Sequence, residues 1–463
     1  MTISRRWSVV ARLEAHQLCV SNKGQFLSRE PKVSRRSRRS GGALRILSLA
    51  VTFAVVTTTL TTAVASAGGV PRITNYPGAG IREPFGITAG TDGALWFTND
   101  FGGSIGRIST GGSVTTFPAT GISNATDITS ASDGTLWFTN LSGNSIGRIT
   151  TAGKIRLYRG HGISQPNDIT AGPDRALWFT NLDNTIGRIT RTGSVTDYTS
   201  PSISGPENIT TGPDGALWFT NNSYIKNFPQ PGAGSIGRIT TTGKITNYPT
   251  PGIPGPFGIT AGPDGALWFT AADPTSGGGS IGRMTTSGKV TNYHSPSISY
   301  PENITTGADG ALWFTDAEND SIGRITTTGK ITNYTDASIS LPTDLTVGAD
   351  GALWFTNAQG NSIGRITTGP SAPQTVAAIM SGKNRAKLSW YTPSTDGGTP
   401  IVGYVVTPFL GTAAQTVHVF NSRKTTEIVT GLQTGKTYRF AIAAENAAGI
   451  GASSPETTPI TAG

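Results

Sequence analysis

The stretch GPDGALWFT fills residues 212–220 and recurs, letter for letter, at 262–270. Looser copies extend the pattern. The tryptophan of each Leu-Trp-Phe-Thr is Trp96, Trp137, Trp178, Trp218, Trp268, Trp313 and Trp354, and the arginine of each Gly-Arg that follows is Arg107, Arg148, Arg188, Arg238, Arg283, Arg324 and Arg365. Self-similarity at a period of about 40 to 50 residues is the mark of propeller blades. Each unit reads as four short strands: A around Gly-Ile-Thr-Ala-Gly, B as Ala-Leu-Trp-Phe-Thr, C as Ser-Ile-Gly-Arg-Ile-Thr and D as Lys-Ile-Thr-Asn-Tyr. Asp-Gly and Thr-Gly-Lys supply the hairpin turns between A and B and between C and D. Helical periodicity is absent, and 61 glycines with 28 prolines agree with an all-β chain rich in turns.

The ends of the repeat give a second test. Arg72-Ile73-Thr74-Asn75-Tyr76 is a D strand without its A, B and C, whereas the seventh copy stops after strand C at Thr367. Joining them closes a ring and removes two exposed sheet edges. The reading is a seven-bladed β-propeller of four-stranded antiparallel blades over residues 68–369.

Length variation is confined to one place. From each arginine to the next tryptophan the step is 30 (Arg107 to Trp137, and so on to Arg324 to Trp354), but Trp218 to Arg238 spans 20 and Trp268 to Arg283 spans 15, against 10 or 11 elsewhere. The enlarged B to C loops, 221–234 and 271–279, fall on the face that also carries the D to A crossovers. Such insertions mark a binding face or a tolerant loop. Tyr224, Lys226 and Phe228 in the larger loop are candidate contacts.

Residues 1–67 hold 11 of the 36 Lys and Arg and 2 of the 27 Asp and Glu, so the rest carries 36 − 11 = 25 basic and 27 − 2 = 25 acidic residues. A neutral body has no electrostatic footprint for nucleic acid. The leader has a basic Ser-Arg-Arg-Ser-Arg-Arg (34–39), an apolar run from Ile46 to Val64, and Ala65-Ser66-Ala67, which together read as a signal segment. The mature chain is expected near Gly68, secreted, on or near the cell wall, monomeric and with no membrane span; a retained anchor is the alternative reading of the same run. Cys19 lies in the leader, so the mature chain holds without disulfides.

The repeated tryptophans and arginines sit at the same strand positions in every blade and are read as packing and as hydrogen-bond donors. One Asp per turn offers too few oxygens for calcium. Chemistry is sought where the repeat is broken, just before strand A. The first variable residue of Pro-x-x-Ile-Thr is Phe85, Thr126, Asn167, Glu207, Phe257, Glu302 and Thr343; the second is Gly86, Asp127, Asp168, Asn208, Gly258, Asn303 and Asp344. Strand A is innermost, so both sets are expected at the mouth of the central channel. There Phe85, Asp127, Asp168, Phe257 and Asp344 are candidate ligand contacts, and Glu207 and Glu302 a candidate acid/base pair. The bland alternative is that these groups solvate a wet channel and cap backbone.

After Gly369, a linker at 370–373 leads into residues 374–463, which resemble a fibronectin type III module, an immunoglobulin-like β-sandwich. The resemblance rests on Leu388-Ser389-Trp390, Asp396-Gly397-Gly398-Thr399-Pro400, Tyr404, Thr437-Tyr438-Arg439-Phe440 and Ala444-Glu445-Asn446. His418, amid alternating apolar residues, reads as a strand-surface residue.

The repeats Gly-Pro-Asp-Gly-Ala-Leu-Trp-Phe-Thr, Ser-Ile-Gly-Arg-Ile-Thr and Lys-Ile-Thr-Asn-Tyr-Pro-Thr-Pro resemble the seven-bladed virginiamycin B lyase family across about 300 residues. That resemblance implies opening of type B streptogramins by elimination at the ester, with magnesium and a histidine base from Pro-His-x-Ile motifs. Here Glu83-Pro84-Phe85-Gly86-Ile87 carries phenylalanine in place of histidine, Thr343 takes the other histidine position, and Asp100 stands at the carboxylate position three residues after Phe97. Glu83 and Asp100 are thus the candidate metal ligands. Phenylalanine cannot abstract a proton, and His161 and His294 lie in crossovers. The expectation is a recognition or scaffold protein for a small molecule or an extracellular polymer. The alternatives are a magnesium-dependent lyase with Glu302 or Glu207 as base, and a glycan hydrolase using those two carboxyls.

Overall fold

The computed structural model describes residues 71–222, 234–253, 255–273 and 278–463. The leader, and with it Cys19, and the loop candidates Tyr224, Lys226 and Phe228 lie outside the described residues. Within the described chain there is no helix, and seven antiparallel four-stranded sheets follow one another. Blade one is Pro84–Ala89, Leu95–Asn99, Ser104–Ile108 and Val114–Pro118. Blade seven is Pro342–Val347, Leu353–Asn357 and Ser362–Thr367, completed by Arg72–Pro77, whose register runs from Arg72 opposite Thr367 to Pro77 opposite Ser362. The N-terminal strand therefore closes the ring as its Arg-Ile-Thr-Asn-Tyr sequence predicts.

Two clasps hold each blade to its neighbour, and each has a sequence cause. The outer one is built on the Leu-Trp-Phe-Thr tryptophan. Its ring stacks on the strand D aromatic of the same blade, with centroids 5.3 Å apart for Trp96 on Phe117 and 5.4 Å for Trp354 on Tyr76. The guanidinium from strand C also lies over this ring, at 5.9 Å for Arg107. Trp96 also packs with Ile128, Leu136 and Phe138 of blade two, so a residue from one sheet fills the core of the next. The Asp-Gly turn aspartate locks the stack: Asp92 accepts from Trp96 Nε1 at 3.1 Å and from Arg107 Nε at 2.7 Å. In blade two Thr135 intervenes, accepting from both Trp137 and Arg148. The glycine of Ile-Gly-Arg makes room for the phenylalanine ring beside it, since a Cβ on Gly106 would lie 2.0 Å from Phe97 Cζ.

The inner clasp starts from a defect. In every strand A the register slips between its first residue, a proline except for Ala125 in blade two, and the hydrophobic residue three places on, as from Pro84 opposite Asn99 to Ile87 opposite Phe97. The bulge leaves the two variable residues outside the ladder. The threonine that ends Leu-Trp-Phe-Thr repairs it. Its hydroxyl accepts the N–H of the second variable residue of its own blade at 2.8–3.1 Å (Gly86 to Thr98 through Asp344 to Thr356). The same hydroxyl donates to the carbonyl of the first variable residue of the following blade at 2.6–3.0 Å, from Thr98 to Thr126 around to Thr356 to Phe85. All seven threonines are fully buried, at 0% exposure, and they form a closed belt.

Beyond the ring, Gln374–Met380, Arg385–Tyr391 and Thr426–Thr430 make one sheet, and Gly403–Leu410, Thr437–Asn446 and Gly449–Ser453 the main strands of another. Trp390 meets Tyr404 edge-on in their shared core, and the Tyr438 hydroxyl accepts the N–H of Gln433 at 3.1 Å, the tyrosine corner of such sandwiches. His418 pairs with Val406 on a strand, as its alternating neighbours imply. Blade seven holds this module by more than the chain connection. Thr368 N–H donates to Gly397 O at 2.9 Å, the Asn446 amide donates to Thr368 O at 2.8 Å, and the blade-seven arginine, Arg365, adds a bond to the Gly398 carbonyl.

Thr220→Val keeps shape and β-branching but strands two buried backbone groups, the Asn208 N–H and the Phe257 carbonyl. The expected cost is about 2–4 kcal/mol, read as a lower denaturant midpoint with an unchanged slope. Thr220→Ser should recover most of it, and equal losses in both variants would show that the hydroxyl is not what matters.

Candidate functional site

The bulges set the two variable positions to different tasks. Among the second-position side chains, Asp127, Asp168, Asn208 and Asp344 each accept the N–H of the strand A isoleucine in the next blade: Ile169 at 3.1 Å, Ile209 at 2.5 Å, Ile259 at 3.2 Å and Ile87 at 2.7 Å. Asn303 instead donates to Asp344 and accepts the N–H of its own neighbour, Ile304. Asp127, Asp168 and Asp344, expected as ligand contacts, are therefore engaged in joining blades. Blades one and five have glycine here, and a Cβ on Gly86 or Gly258 would come within 2.7 Å or 2.6 Å of the next blade's backbone carbonyl.

Burial acts strongly on these carboxyls. It raises Asp127, with the adjacent Asp168 adding to the effect, and it raises Asp344, with the charge of Asp127 adding there. It pushes Asp168 up to about 6 against the hydrogen bond from Asp127.

The first-position side chains form the mouth. Thr343 has its hydroxyl within the belt, donating to Phe85 O at 3.0 Å and paired with Thr356 Oγ1 at 2.9 Å. Phe85 and Phe257 are half-buried, and Glu207 and Glu302 are buried at 6% and 8% exposure. Glu207 accepts from the Asn167 amide at 2.9 Å. Burial, opposed by that bond and reinforced by Glu302, pushes it up to about 8. Glu207 and Glu302 are thus brought into one electrostatic group on either side of the blade that carries Phe257. Sequence reasoning missed a further member, Tyr300. Its ring lies 6.3 Å from that of Phe257, and burial together with Glu302, Glu207 and Glu318 drives its phenol far above the ordinary range. The available signal was its place before the strand A proline, where the other blades have Glu83, Asn124, Gln165, Gly205, Gly255 and Leu341.

Glu83 and Asp100 sit together on the crossover face, linked by the Asp100 N–H to the Glu83 carbonyl at 3.1 Å. Glu83 has φ 45°, and its N–H is held by Asn361 of blade seven at 2.8 Å. The Asp100 carboxylate accepts the Asn124 amide. Among the described residues no three His, Cys, Asp or Glu side chains converge as a metal site. Neither propeller histidine lies at the mouth. His161 is exposed beside Asp197 at 3.5 Å, and His294 ends a D strand with its ring on Asn292. In blade five the extra length becomes strand, Leu267–Asp273 pairing with Gly278–Met284.

The ring, its repeats and its variable mouth are matched by a family model described as the virginiamycin B lyase family over residues 72–227 and 225–374. The chain belongs to that family. A fibronectin type III domain model matches residues 371–460. A solved streptogramin B lyase is 34% identical, covering 65% of this chain and 98% of its own, with a TM-score of 0.57. The virginiamycin B lyase from Staphylococcus aureus is 37% identical over 64% of this chain and 98% of its own, at 0.56. A catalytically inactive histidine-to-alanine variant of that enzyme with quinupristin gives 37%, 64%, 99% and 0.56. Family membership and the fibronectin type III module are thereby established.

Stability should depend on pH in opposite senses at the two radii. Asp168, Asp316 and Glu207, with folded values of about 6, 7 and 8, lie above their unfolded values of about 4. Their contribution is complete below that value and is lost as pH rises through 6 to 8. For the turn aspartates Asp92, Asp174, Asp214 and Asp264, burial is outweighed by the tryptophan and arginine hydrogen bonds, so their values are lowered. Their contribution is lost as pH falls below about 4. Thermal melts should therefore peak at about pH 4 and decline toward pH 8. Glu207→Gln should flatten the decline between pH 7 and 8, and a melting temperature that is flat from pH 5 to 9 in both proteins would contradict this ionisation scheme.

Proposed function

We propose that this chain is an exported recognition protein that has kept the ring of a lyase family without its reaction, and that its crossover face binds a small molecule or an extracellular polymer. The observation that carries this reading is the chemistry at the two positions where the resemblance expects histidine. Phe85 has no basic atom, and the Thr343 hydroxyl is committed to the threonine belt. Elimination needs a group that takes a proton alpha to a carbonyl, and losing such a base costs about 100- to 10,000-fold in rate. The S. aureus lyase in the quinupristin structure is catalytically inactive with one histidine replaced by alanine. The leader's signal-like order supports export, and the sandwich module serves as a spacer fixed to blade seven.

A lyase with a carboxylate base is the competing reading, and the protonation of Glu207 speaks against it at neutral pH. With a value near 8, Glu207 keeps its proton and is suited to donate one. A raised acid beside a second carboxyl is also what a glycan hydrolase requires, so the test includes that outcome.

The purified chain, incubated with a type B streptogramin and magnesium at pH 7, should release no linear product above the buffer rate, and it should release no reducing ends from cell-wall polysaccharide. It should co-sediment with cell-wall material, and Phe85→Ala or Phe257→Ala should weaken that binding several-fold at unchanged melting temperature. Linear streptogramin at more than a few hundredths of the rate of the S. aureus enzyme would overturn the reading.

A further inference from the structure

The chain from Gly68 onward is neutral in sum, but the fold sorts its charge by face. The crossover side carries Glu83, Asp100, Asp183, Glu318, Asp320 and Asp336 in its loops, against Arg82 and Arg159 among the described residues. On the opposite side, where the A to B and C to D turns lie, each turn aspartate is taken up by its own arginine, from Asp92 with Arg107 at 2.7 Å round to Asp350 with Arg365 at 2.8 Å. What those pairs leave over is cationic. Lys154, Lys244, Lys289 and Lys330 hold one equivalent position, the end of the C to D turn in blades two, four, five and six, and all four are exposed. None of them has an ion pair among the described residues. Blade three adds Arg175 in its A to B turn and Arg191 in its C to D turn, the latter within electrostatic reach of Asp133. Five consecutive blades thus present cations along one arc of the rim.

The turns that carry the lysines are stiff. Each lysine follows a glycine at positive φ, 84° for Gly153 and 89° for Gly243, seated on the strand D ring of the preceding blade: a Cβ would lie 2.4 Å from Phe117 in the first case and 2.4 Å from Tyr198 in the second. Each lysine N–H donates to the threonine hydroxyl that opens its turn, at 3.0–3.1 Å. From blade three to blade six the turns also carry a solvent-facing pair of hydroxyls, such as Thr240 and Thr242 at 2.8 Å. Among the described residues this side exposes no large apolar side chain, since Phe101 lies in a crossover-side loop and the others belong to the sandwich. The sandwich stands at the end of the arc: a Cβ on Gly351, in the A to B turn of blade seven, would meet Thr395 Oγ1 at 2.9 Å.

We propose that the turn face is a second attachment surface, lying along a flexible extracellular polyanion of phosphodiester-linked polyols and leaving the acidic crossover face turned away from it. The proposal goes beyond the recognition reading and does not depend on what the crossover face binds. Cations gathered on one face attract a polyanion and release its counterions on contact. Lysine meets phosphate as a point charge, and the neighbouring hydroxyls donate to the non-ester oxygens. A flexible chain with its charge in the backbone follows an arc, whereas duplex DNA, with a persistence length of about 50 nm, pays a bending cost to do so. Single-stranded nucleic acid asks for aromatic stacking platforms, and a lipid surface for apolar side chains to insert. The turn face offers neither.

The probe is end-labelled poly(glycerol phosphate), titrated with the full chain by fluorescence anisotropy at pH 7. It should bind in 50 mM salt and lose at least about tenfold in affinity by 200 mM. Lys154→Gln, Lys244→Gln, Lys289→Gln and Lys330→Gln together should weaken it at least about tenfold, whereas Lys154→Arg, Lys244→Arg, Lys289→Arg and Lys330→Arg together should retain it. Arg82→Gln with Arg159→Gln, which removes cations from the crossover side, should leave the affinity within about twofold. Melting curves check that each variant is folded. No binding in 50 mM salt would overturn the proposal, as would equal losses in the lysine-to-glutamine and the Arg82, Arg159 variants. Tighter binding to polygalacturonate, duplex DNA or anionic phospholipid vesicles than to poly(glycerol phosphate) would overturn the choice of partner. Cell-wall co-sedimentation at 200 mM salt separates this surface from the other. If Phe85→Ala weakens sedimentation while the unaltered chain ignores the polymer, the attachment surface falls and the recognition reading stands; polymer binding without that phenylalanine effect sinks the recognition reading alone.

Discussion

The threonine belt is the constraint on which the rest of the molecule depends. A bulge in strand A is needed to turn the chain from the crossover into the innermost strand, and it breaks the ladder at the two residues facing the axis. Their polar backbone groups are then buried and unpaired unless a side chain intervenes. A hydroxyl is the one small group that accepts from one of them and donates to another at the same time, and threonine adds the β-branching a strand prefers. Because the donated bond always crosses to the following blade, repair of a local defect becomes the circumferential link of the ring. Closure is therefore written into a single residue per blade, with each bond completing the satisfaction of two buried groups.

The outer clasp answers a different problem. Wedge-shaped gaps between radiating sheets widen with distance from the axis and call for bulky side chains. Tryptophan fills them, but it brings an indole N–H that must be met, and the arginine lying on it brings a half-buried charge. One carboxylate at the Asp-Gly turn serves both, which is why a residue that reads as punctuation is also a partner in the packing. Blade two, where Thr135 takes over both bonds and Asp133 retains only a longer contact to Arg148 at 3.4 Å, shows that the arrangement needs an acceptor at that place more than a full ion pair.

This difference in kind explains what could be read from the sequence. Blade number and ring closure were legible because periodic tryptophans and a stray D strand are one-dimensional signals, and the arginine role followed from its fixed strand position. The belt was not, because a threonine at the end of Leu-Trp-Phe-Thr looks like any strand threonine until the register shift opposite it is known. Asp127, Asp168 and Asp344 were placed at the axis, but which way a carboxylate turns there depends on the neighbouring blade's backbone. Their bonds to Ile169, Ile209 and Ile87 are three-dimensional facts. Tyr300 lay one residue outside the motif that was aligned, so its contact with Phe257 was invisible to a column-by-column reading.

That division of labour also accounts for the freedom with which the mouth varies from blade to blade. At the first variable position the bond common to all seven blades is to the backbone carbonyl, which the preceding threonine captures whatever side chain follows; the threonines and the asparagine add side-chain bonds to the next blade. Phenylalanine, threonine, asparagine and glutamate all occur there with the belt bond intact. The identity of the side chain at the mouth is consequently not fixed by the belt bond. The second position has no such freedom. Its carboxylates join blades, and its glycines are imposed where a Cβ would strike the next strand. A propeller of this design can change what it binds or catalyses at one ring of positions while the adjacent ring, one residue away in sequence, stays under structural control.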